Sequence, residues 1–486
     1  MPDIFLVPGV RTPFVKGGGP FAPYNALAIS APVAKAMAAR ARPDFIIWGE
    51  VIPEATVSNI ARELVFEAGL DPTIPAVSTV LACSTSFMAA IEASGMIGRG
   101  GLHLALVGGA ETMSHVPIAL KTAVADKLIA TFPRDPAGAV DMLTHLTAAD
   151  FDLPLNAWAN RVSGRSQGQH TEDTAKRFAI TREEQDKWAL RSHQSAVAGQ
   201  DAGFFDDLVI PFGGVEKDAL PRRDSTLEKL SSLRTVYDAA GTITAGNASP
   251  VTDGAASLWV GDAEGLAKLG ATPTVKLVDF EIAAIDFRLD EGMLMAPGRA
   301  IPRILARHGL KFTDIALWEI HEAFAAQVLA NIKAATDPVY RRERAKVDAD
   351  LGEFPWDRVN PHGGTLAIGH PFAATGARIL SMAAKELPPC RPVRAPSSPS
   401  APTAARARWA CWSGSSRPLA KAATQAFCPR KTRTRARQNR WRLPCFPWLI
   451  FPSLRGRSPA RKSSGRRFRG RVRRRQLKCD NGGHTH

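Results

Sequence analysis

Val80-Leu81-Ala82-Cys83-Ser84-Thr85-Ser86 is the stretch whose reading decides the fold of this chain. The apolar run 76–82 predicts a buried strand, and the small-residue segment 84–97 predicts a helix with Phe87, Ala90 and Ile91 on one face. Cys83 then stands where the strand hands over to the helix. A helix N-terminus offers free backbone N–H groups and partial positive charge. Both favour the thiolate, the reactive form of cysteine. A buried structural cysteine is the competing reading of the same local pattern. Residues 103–107 form the next apolar strand, ended by Gly108-Gly109-Ala110-Glu111, so the stretch belongs to a β-α-β unit.

Toward the N-terminus, residues 4–7 read as a strand. Arg11-Thr12-Pro13-Phe14 then leads into a Gly17-Gly18-Gly19 loop. A helix over 27–41, a strand over 45–49 and a helix over 59–68 follow. This alternation predicts an α/β architecture with a largely parallel sheet. Over 112–221 the pattern changes to Pro, Asp and Gly punctuation with amphipathic, exposed helices. One of these starts at a capping box, Thr181 with Glu184, and runs to about residue 198. Such a long insertion reads as a loop or lid. Alternation then resumes, with a strand over 316–320, helices over 300–308, 323–334 and 374–387, and a charged, exposed excursion over 337–356. The expected organisation is one half from 1–111 and 222–262, a lid over 112–221, a second half over 263–387 and a tail over 388–486.

The net charge of +16 over 486 residues is unevenly spread. Residues 388–486 hold 25 Lys/Arg and one acid, Asp480, which leaves 37 basic and 45 acidic residues in the body. The body is thus a mildly acidic globular chain. Cys83 is its single cysteine, which excludes an intrachain disulfide there and fits a reducing compartment. Residues 1–10 lack a secretory apolar run, and no apolar stretch is long enough to span a membrane. A soluble cytoplasmic protein is the expectation.

Three motifs carry chemistry. They are Cys83 at its strand–helix turn, His321-Glu322-Ala323-Phe324 at another, and Gly369-His370-Pro371 in a Gly-rich turn over 360–371. Together with Gly246-Asn247-Ala248-Ser249 and Asp253-Gly254-Ala255-Ala256 they resemble the thiolase family over residues 1–387. The His321 form of the second motif, with Phe372-Ala373-Ala374-Thr375-Gly376 after the third, resembles the β subunit of the fatty-acid oxidation trifunctional complex and its bacterial counterparts. The resemblance implies a five-layered αβαβα fold of two similar halves. It implies acyl-CoA thioester substrates, coenzyme A as substrate with no permanently bound cofactor and no metal, and a homodimer or homotetramer, with a hydratase/dehydrogenase partner subunit in some relatives. It also implies roles. Cys83 would attack a 3-oxoacyl-CoA and carry the acyl group. His370 would take the thiol proton. His321, through a water, and His370 would stabilise the thioester oxygen, and backbone N–H groups at Cys83 the other oxyanion. Ser249 and Arg222 would contact coenzyme A; a plain turn hydroxyl is the equal alternative for Ser249.

The chain departs from the family in one respect. A second cysteine, in a Gly-containing motif about thirty residues after the Gly-His-Pro histidine, is expected to move the proton on the acetyl-CoA carbon. Here residue 400 is Ser400, and Cys390 and Cys411 lack the glycine context. The final strand is missing as well. The genetic code offers a reason. Joining each codon's third base to the next codon's first two over 395–415 permits the reading AVVSVCADGGQGSVGLLVGQ. Its Cys codon straddles Ser400 and Ala401, thirty residues after His370. The Gly across Trp409/Ala410 and the Leu across Cys411/Trp412 are forced by the code. A change of reading frame near Pro389 accounts for the tail, and it predicts an impaired enzyme. Two rival readings share some of these features. A ketoacyl synthase shares fold and nucleophile, but its His-Gly-Thr motif is missing. An inactive thiolase-fold protein could bind nucleic acid through Arg466-Arg467-Phe468-Arg469 and Arg473-Arg474-Arg475 by charge alone.

Overall fold

The structure is a computed structural model that describes residues 2–152, 159–272, 275–289 and 292–387. Every expectation for residues 388–486, including Ser400 and the arginine clusters, lies outside the described residues.

Among the described residues nine strands are formed: β1 (Phe5–Arg11), β2 (Val15–Lys16), β3 (Phe45–Gly49), β4 (Ala76–Thr79), β5 (Leu104–Glu111), β6 (Ala119–Leu120), β7 (Phe151–Asp152), β8 (Thr252–Gly261) and β9 (Val275–Lys276). Seven make one sheet in the order β4-β3-β5-β8-β1-β9, with β2 on β8; β6 and β7 make a separate ribbon. β3 runs parallel to β4 and to β5, whereas β8 is antiparallel to β5, β1 and β2. The sheet is therefore mixed, which corrects the expectation of a largely parallel one. The cause is β8. It returns after the long 112–221 excursion, and such a connection imposes no β-α-β crossover.

Central strands are buried on both faces and read as continuous apolar runs. Alternate side chains divide between two cores. Trp48, Leu106 and Trp259 pack with Ile29, Val33 and Leu64 from the Ala26–Ala38 and Ile60–Glu67 helices. Ile47, Val107 and Leu258 pack on the opposite face with Ala89, Ala93, Ala377 and Met382 from the Thr85–Gly98 and Thr375–Glu386 helices.

Several elements differ from expectation. The run 76–82 is a strand over Ala76–Thr79 alone. It forms the sheet edge, with Val77 45% and Val80 60% exposed, so apolar content did not mean burial. The Arg182–Asp201 helix is capped by the Thr181 box as expected, but it buries Trp188, Ala189, Ser192 and His193. The 337–356 excursion also folds inward. Leu351 and Phe354 are buried against Phe312 and Trp318, and the other charges stay exposed while Arg341 is buried and donates to the Ala335 and Thr336 carbonyls. Residues 316–320 form no strand: Trp318 makes a single bridge, to Val359. The expected second sheet is accordingly not formed among the described residues.

Candidate active site

Cys83 stands on a strained turn. Beyond β4, Ala82 adopts φ 46°, a left-handed conformation that costs a non-glycine residue about 1–2 kcal/mol. Thr85 holds the turn. Its hydroxyl donates to the Ala82 carbonyl (2.7 Å) and accepts from the Leu81 N–H (2.8 Å). The helix then begins at Thr85, with Ser84 as its cap residue.

His370 faces Cys83, its Nε2 3.1 Å from the cysteine Sγ. The His370 N–H donates to the Thr252 hydroxyl (2.7 Å), and its Nδ1 lies 2.6 Å from the Thr375 hydroxyl. That hydroxyl donates onward to the Pro371 carbonyl at 3.4 Å. The chain of bonds places the ring proton on Nδ1 and leaves the Nε2 lone pair to accept the Cys83 S–H. Gly369 sits at φ +109°, a conformation that aims His370 inward and that side chains rarely adopt. Gly109 lets the following turn lie on the sheet, since a Cβ there would meet the Ala373 carbonyl oxygen at 2.5 Å.

The His321 ring lies beside that of His370, centroids 4.1 Å apart and planes tilted by 47°. The Thr365 hydroxyl accepts from the Glu322 N–H (2.9 Å) and lies 3.1 Å from His321 Nδ1, the one acceptor within reach of the hydroxyl proton among the described residues. That bond places the proton of His321 on Nε2, which is buried and has no hydrogen-bond partner among the described residues. An N–H so placed is aimed to donate to an incoming oxygen.

Glu322 anchors this half of the site. Its buried carboxylate accepts from Trp188 Nε1 (3.1 Å), Ser192 Oγ (2.7 Å), Asn360 Nδ2 (2.7 Å) and the Leu366 N–H (3.3 Å). One side chain thus ties the His321 turn to the Arg182–Asp201 helix and to the Gly-rich turn. Glu111 plays the same part on the other side. It accepts from the N–H groups of Val51, Ile52 and Ala373 (3.2, 2.9 and 3.3 Å) and so joins two sheet strands to the His370 turn.

Electrostatics hold the reacting pair neutral. Burial, with the Glu111 carboxylate adding to it, pushes the Cys83 thiol up. Burial lowers His321 to about 3, and it lowers His370 well below its ordinary range; for both, the buried Arg378 adds to the effect. The expected thiolate at the helix N-terminus is therefore corrected: loss of solvation outweighs the partial charge of the turn. What the site holds is a thiol poised to hand its proton to a neutral imidazole.

Cys83, His321 and His370 could also be read as a metal site, since their donor atoms lie within 4.8 Å of one another. Tetrahedral zinc, with Zn–S about 2.3 Å and Zn–N about 2.0–2.1 Å, separates sulfur from nitrogen by roughly 3.5 Å. The 3.1 Å contact is shorter and fits a hydrogen bond.

The other two expected residues lie apart. Ser249 donates its N–H to the Ala323 carbonyl (3.0 Å), which places it beside the His321 turn. Arg222 is exposed, and its N–H donates to His193 Nδ1 (3.2 Å). Glu111, Glu322, Thr365 and Thr375 carried no role in the sequence reading. Their signal was their place inside the quoted motifs: a carboxylate or hydroxyl there is bound for the interior.

Comparisons with known proteins show the family. The family model "Thiolase, N-terminal domain" matches residues 4–264, and "Thiolase, C-terminal domain" matches 271–391. A 3-ketoacyl-CoA thiolase of Yersinia enterocolitica is 35% identical over 397 residues, covering 79% of this chain and 91% of that one. A probable 3-ketoacyl-CoA thiolase of Caenorhabditis elegans is 36% identical over 399 residues, 80% of this chain and 89% of that one. Among solved structures, Bacillus anthracis acetyl-CoA acetyltransferase (TM-score 0.66) and human mitochondrial 3-ketoacyl-CoA thiolase (TM-score 0.65) are each 28% identical, covering 79% of this chain and 92% of theirs.

Proposed function

Because the chain belongs to the thiolase family, and is a coenzyme A-dependent acyltransferase of thiolase type, we propose that Cys83 is its acyl-carrying nucleophile and His370 the base. The observation that carries this reading is the 3.1 Å contact between Cys83 Sγ and His370 Nε2. The thiol gives its proton to His370 as sulfur attacks the keto carbon of a 3-oxoacyl-CoA. The carbon–carbon bond then breaks, leaving a thioester on Cys83 and an acetyl-CoA enolate. His321 Nε2–H and the imidazolium of His370 donate to the thioester oxygen on which the enolate charge gathers. A proton must next reach the enolate carbon, and coenzyme A thiol must take the acyl group from Cys83. Coenzyme A is a substrate in this scheme; no metal and no resident cofactor takes part. Ser249 and Arg222 contact coenzyme A, and residues 112–221 form the lid over it.

The chain is an impaired member. It accepts an acyl group on Cys83 but lacks the second cysteine that would protonate the enolate carbon. Incubation with acetoacetyl-CoA is expected to leave a stable acetyl adduct on Cys83, seen by mass spectrometry, without turnover. Full thiolysis by this polypeptide would overturn the impairment, and an adduct surviving in Cys83→Ala would overturn the site. Sequencing of codons 380–420 decides the reading frame.

The context that fits is fatty-acid β-oxidation, in the cytoplasm. We place the protein there as a homodimer or homotetramer, with a hydratase/dehydrogenase subunit as partner. The open β4 edge, with Val77 and Val80 exposed, suits strand pairing between two copies. No described helix is long and apolar enough to cross a membrane.

A further inference from the structure

Residues 218–224 form a strap between the Arg182–Asp201 helix and the His370 turn. Asp218 fixes its inner end. The buried Asp218 carboxylate pairs with Arg11, Nη1 at 2.7 Å and Nη2 at 2.5 Å, and it accepts from the Phe14 N–H (2.8 Å). The Asp218 carbonyl accepts from Gln200 Nε2 (2.8 Å), which belongs to the helix. Two residues on, Leu220 lies against Gly369: a Cβ on that glycine would meet Leu220 Cδ1 at 2.9 Å. The inner part of the strap therefore rests on the turn that aims His370.

His193 fixes the outer end. It stands on the buried face of the helix, 6% exposed, and its Nδ1 accepts the Arg222 N–H at 3.2 Å. Burial lowers its pKa to about 4, with the Arg222 charge adding to the effect and Asp224 opposing it. The ring is thus neutral near pH 7, and with Nδ1 accepting, its proton is on Nε2. The charges around Arg222 are already matched. Arg223 pairs with Asp201, and Lys229 with Asp224. Arg222 is exposed, and its guanidinium makes no hydrogen bond or ion pair among the described residues. One unmatched cation therefore sits on a backbone that is held from below.

We propose that His193 is a positioning residue for coenzyme A, holding the Arg222 backbone so that the free guanidinium meets the phosphates of the nucleotide. An arginine that binds an anion gives up backbone and rotamer freedom. Here the backbone is ordered before the ligand arrives. The role of His193 rests on the reading of Arg222 as a coenzyme A contact, and it supplies the group that sets the place of that arginine. The two pins divide the work. Asp218 secures the part of the strap against Gly369, and with it the His370 turn. His193 secures the part that faces the ligand. Loss of the His193 acceptor should therefore change how the nucleotide end of a substrate is held and leave the chemistry at Cys83 alone. A histidine that only filled the core would show no such restriction to nucleotide-bearing substrates, and no rescue by an acceptor at the same atom.

The test follows single-turnover acetylation of Cys83 in the full chain by mass spectrometry. Two donors are compared: acetoacetyl-CoA, and acetoacetyl N-acetylcysteamine, a thioester without the nucleotide. His193→Leu should raise the half-saturating concentration of acetoacetyl-CoA about tenfold, the effect of one lost buried hydrogen bond, and leave the maximal rate in place. Acetylation from the truncated thioester should keep its rate. His193→Asn, whose amide oxygen takes the place of Nδ1, should restore the half-saturation. Should the leucine variant fail to fold, His193→Gln, close in size but without an acceptor at that place, carries the same expectation. Arg222→Ala separates the two readings. A rise with Arg222→Ala but none with His193→Leu overturns the role of His193 and leaves the Arg222 contact standing. No rise with either overturns both. An equal slowing from both thioesters, or no recovery with His193→Asn, shows a structural histidine and overturns the positioning role.

Discussion

The two halves of the molecule are finished to different degrees. In the first, β3, β5, β8 and β1 are each flanked by strands on both sides, and their alternate side chains fill two cores. In the second, the segment 315–320 has a single bridge among the described residues, and the buried Glu319 and Arg378 meet only as a long ion pair of 4.0 Å. Yet the site draws on both halves and keeps its geometry: Cys83 comes from the first, His321 and His370 from the second. The difference teaches that the site does not depend on sheet pairing in the second half. Side-chain networks at Glu322 and Glu111 hold the histidine turns instead.

The largest expected effect attacks that claim at its centre. Glu322→Ala leaves Trp188 Nε1, Ser192 Oγ and the Leu366 N–H without their acceptor in the interior. Each lost partner costs about 1–3 kcal/mol, so urea denaturation should show a loss on the order of 3 kcal/mol or more. An unchanged midpoint would mean that backbone pairing, not Glu322, holds the second half.

Cys83 reactivity is the next measure. With its pKa raised, the thiol is protonated across the neutral range, and the thiolate fraction grows about tenfold per pH unit. Iodoacetamide labelling of Cys83 should therefore climb about a hundredfold between pH 7 and 9 without a plateau. A plateau near pH 7 would show that the helix N-terminus outweighs burial after all.

How much of this could be read from the residues follows the same division. Cys83, His321 and His370 were legible because each lies in a short motif at a strand-to-helix or glycine turn, where spacing restricts the chemistry. β3 and the helix over Ile60–Glu67 were legible because one continuous apolar run or one amphipathic face decides them. The 316–320 run has strand composition too, but a strand also needs neighbours, and composition says nothing of those. The 337–356 segment misled in the opposite sense: its charges hid Leu351 and Phe354, two side chains that carry the packing. The anchoring acids were hidden for a related reason. An isolated Glu is most often a surface residue, and Glu111 and Glu322 reveal their part only through the donors that the fold collects around them.

Glu111 sharpens the comparison, because it touches both halves. Its pKa is raised to about 7, burial being the main cause, so it is largely neutral below that value and charged above it. The charged form raises the Cys83 thiol. Glu111→Gln should then speed Cys83 alkylation by about threefold at pH 8, where the carboxylate is lost, and leave it unchanged at pH 6. The same change loosens the Ala373 N–H contact and should slow acylation from acetoacetyl-CoA by about tenfold. Opposite movement of the two rates marks a positioning residue. A parallel fall in both would mark general damage to the fold.

The smallest effect lies at the turn where the two halves meet. Ala82 holds φ 46° because Thr85 grips both the Leu81 N–H and the Ala82 carbonyl. Ala82→Gly relieves about 1–2 kcal/mol of left-handed strain in the folded chain. It also loosens the unfolded chain, which opposes the gain by about 0.4–1 kcal/mol. The net should be a stabilisation of at most about 1.6 kcal/mol, visible as a small rise in the urea midpoint. If the midpoint falls instead, the strain at Ala82 is not borne by the Thr85 clamp, and the first half is less complete than its sheet suggests.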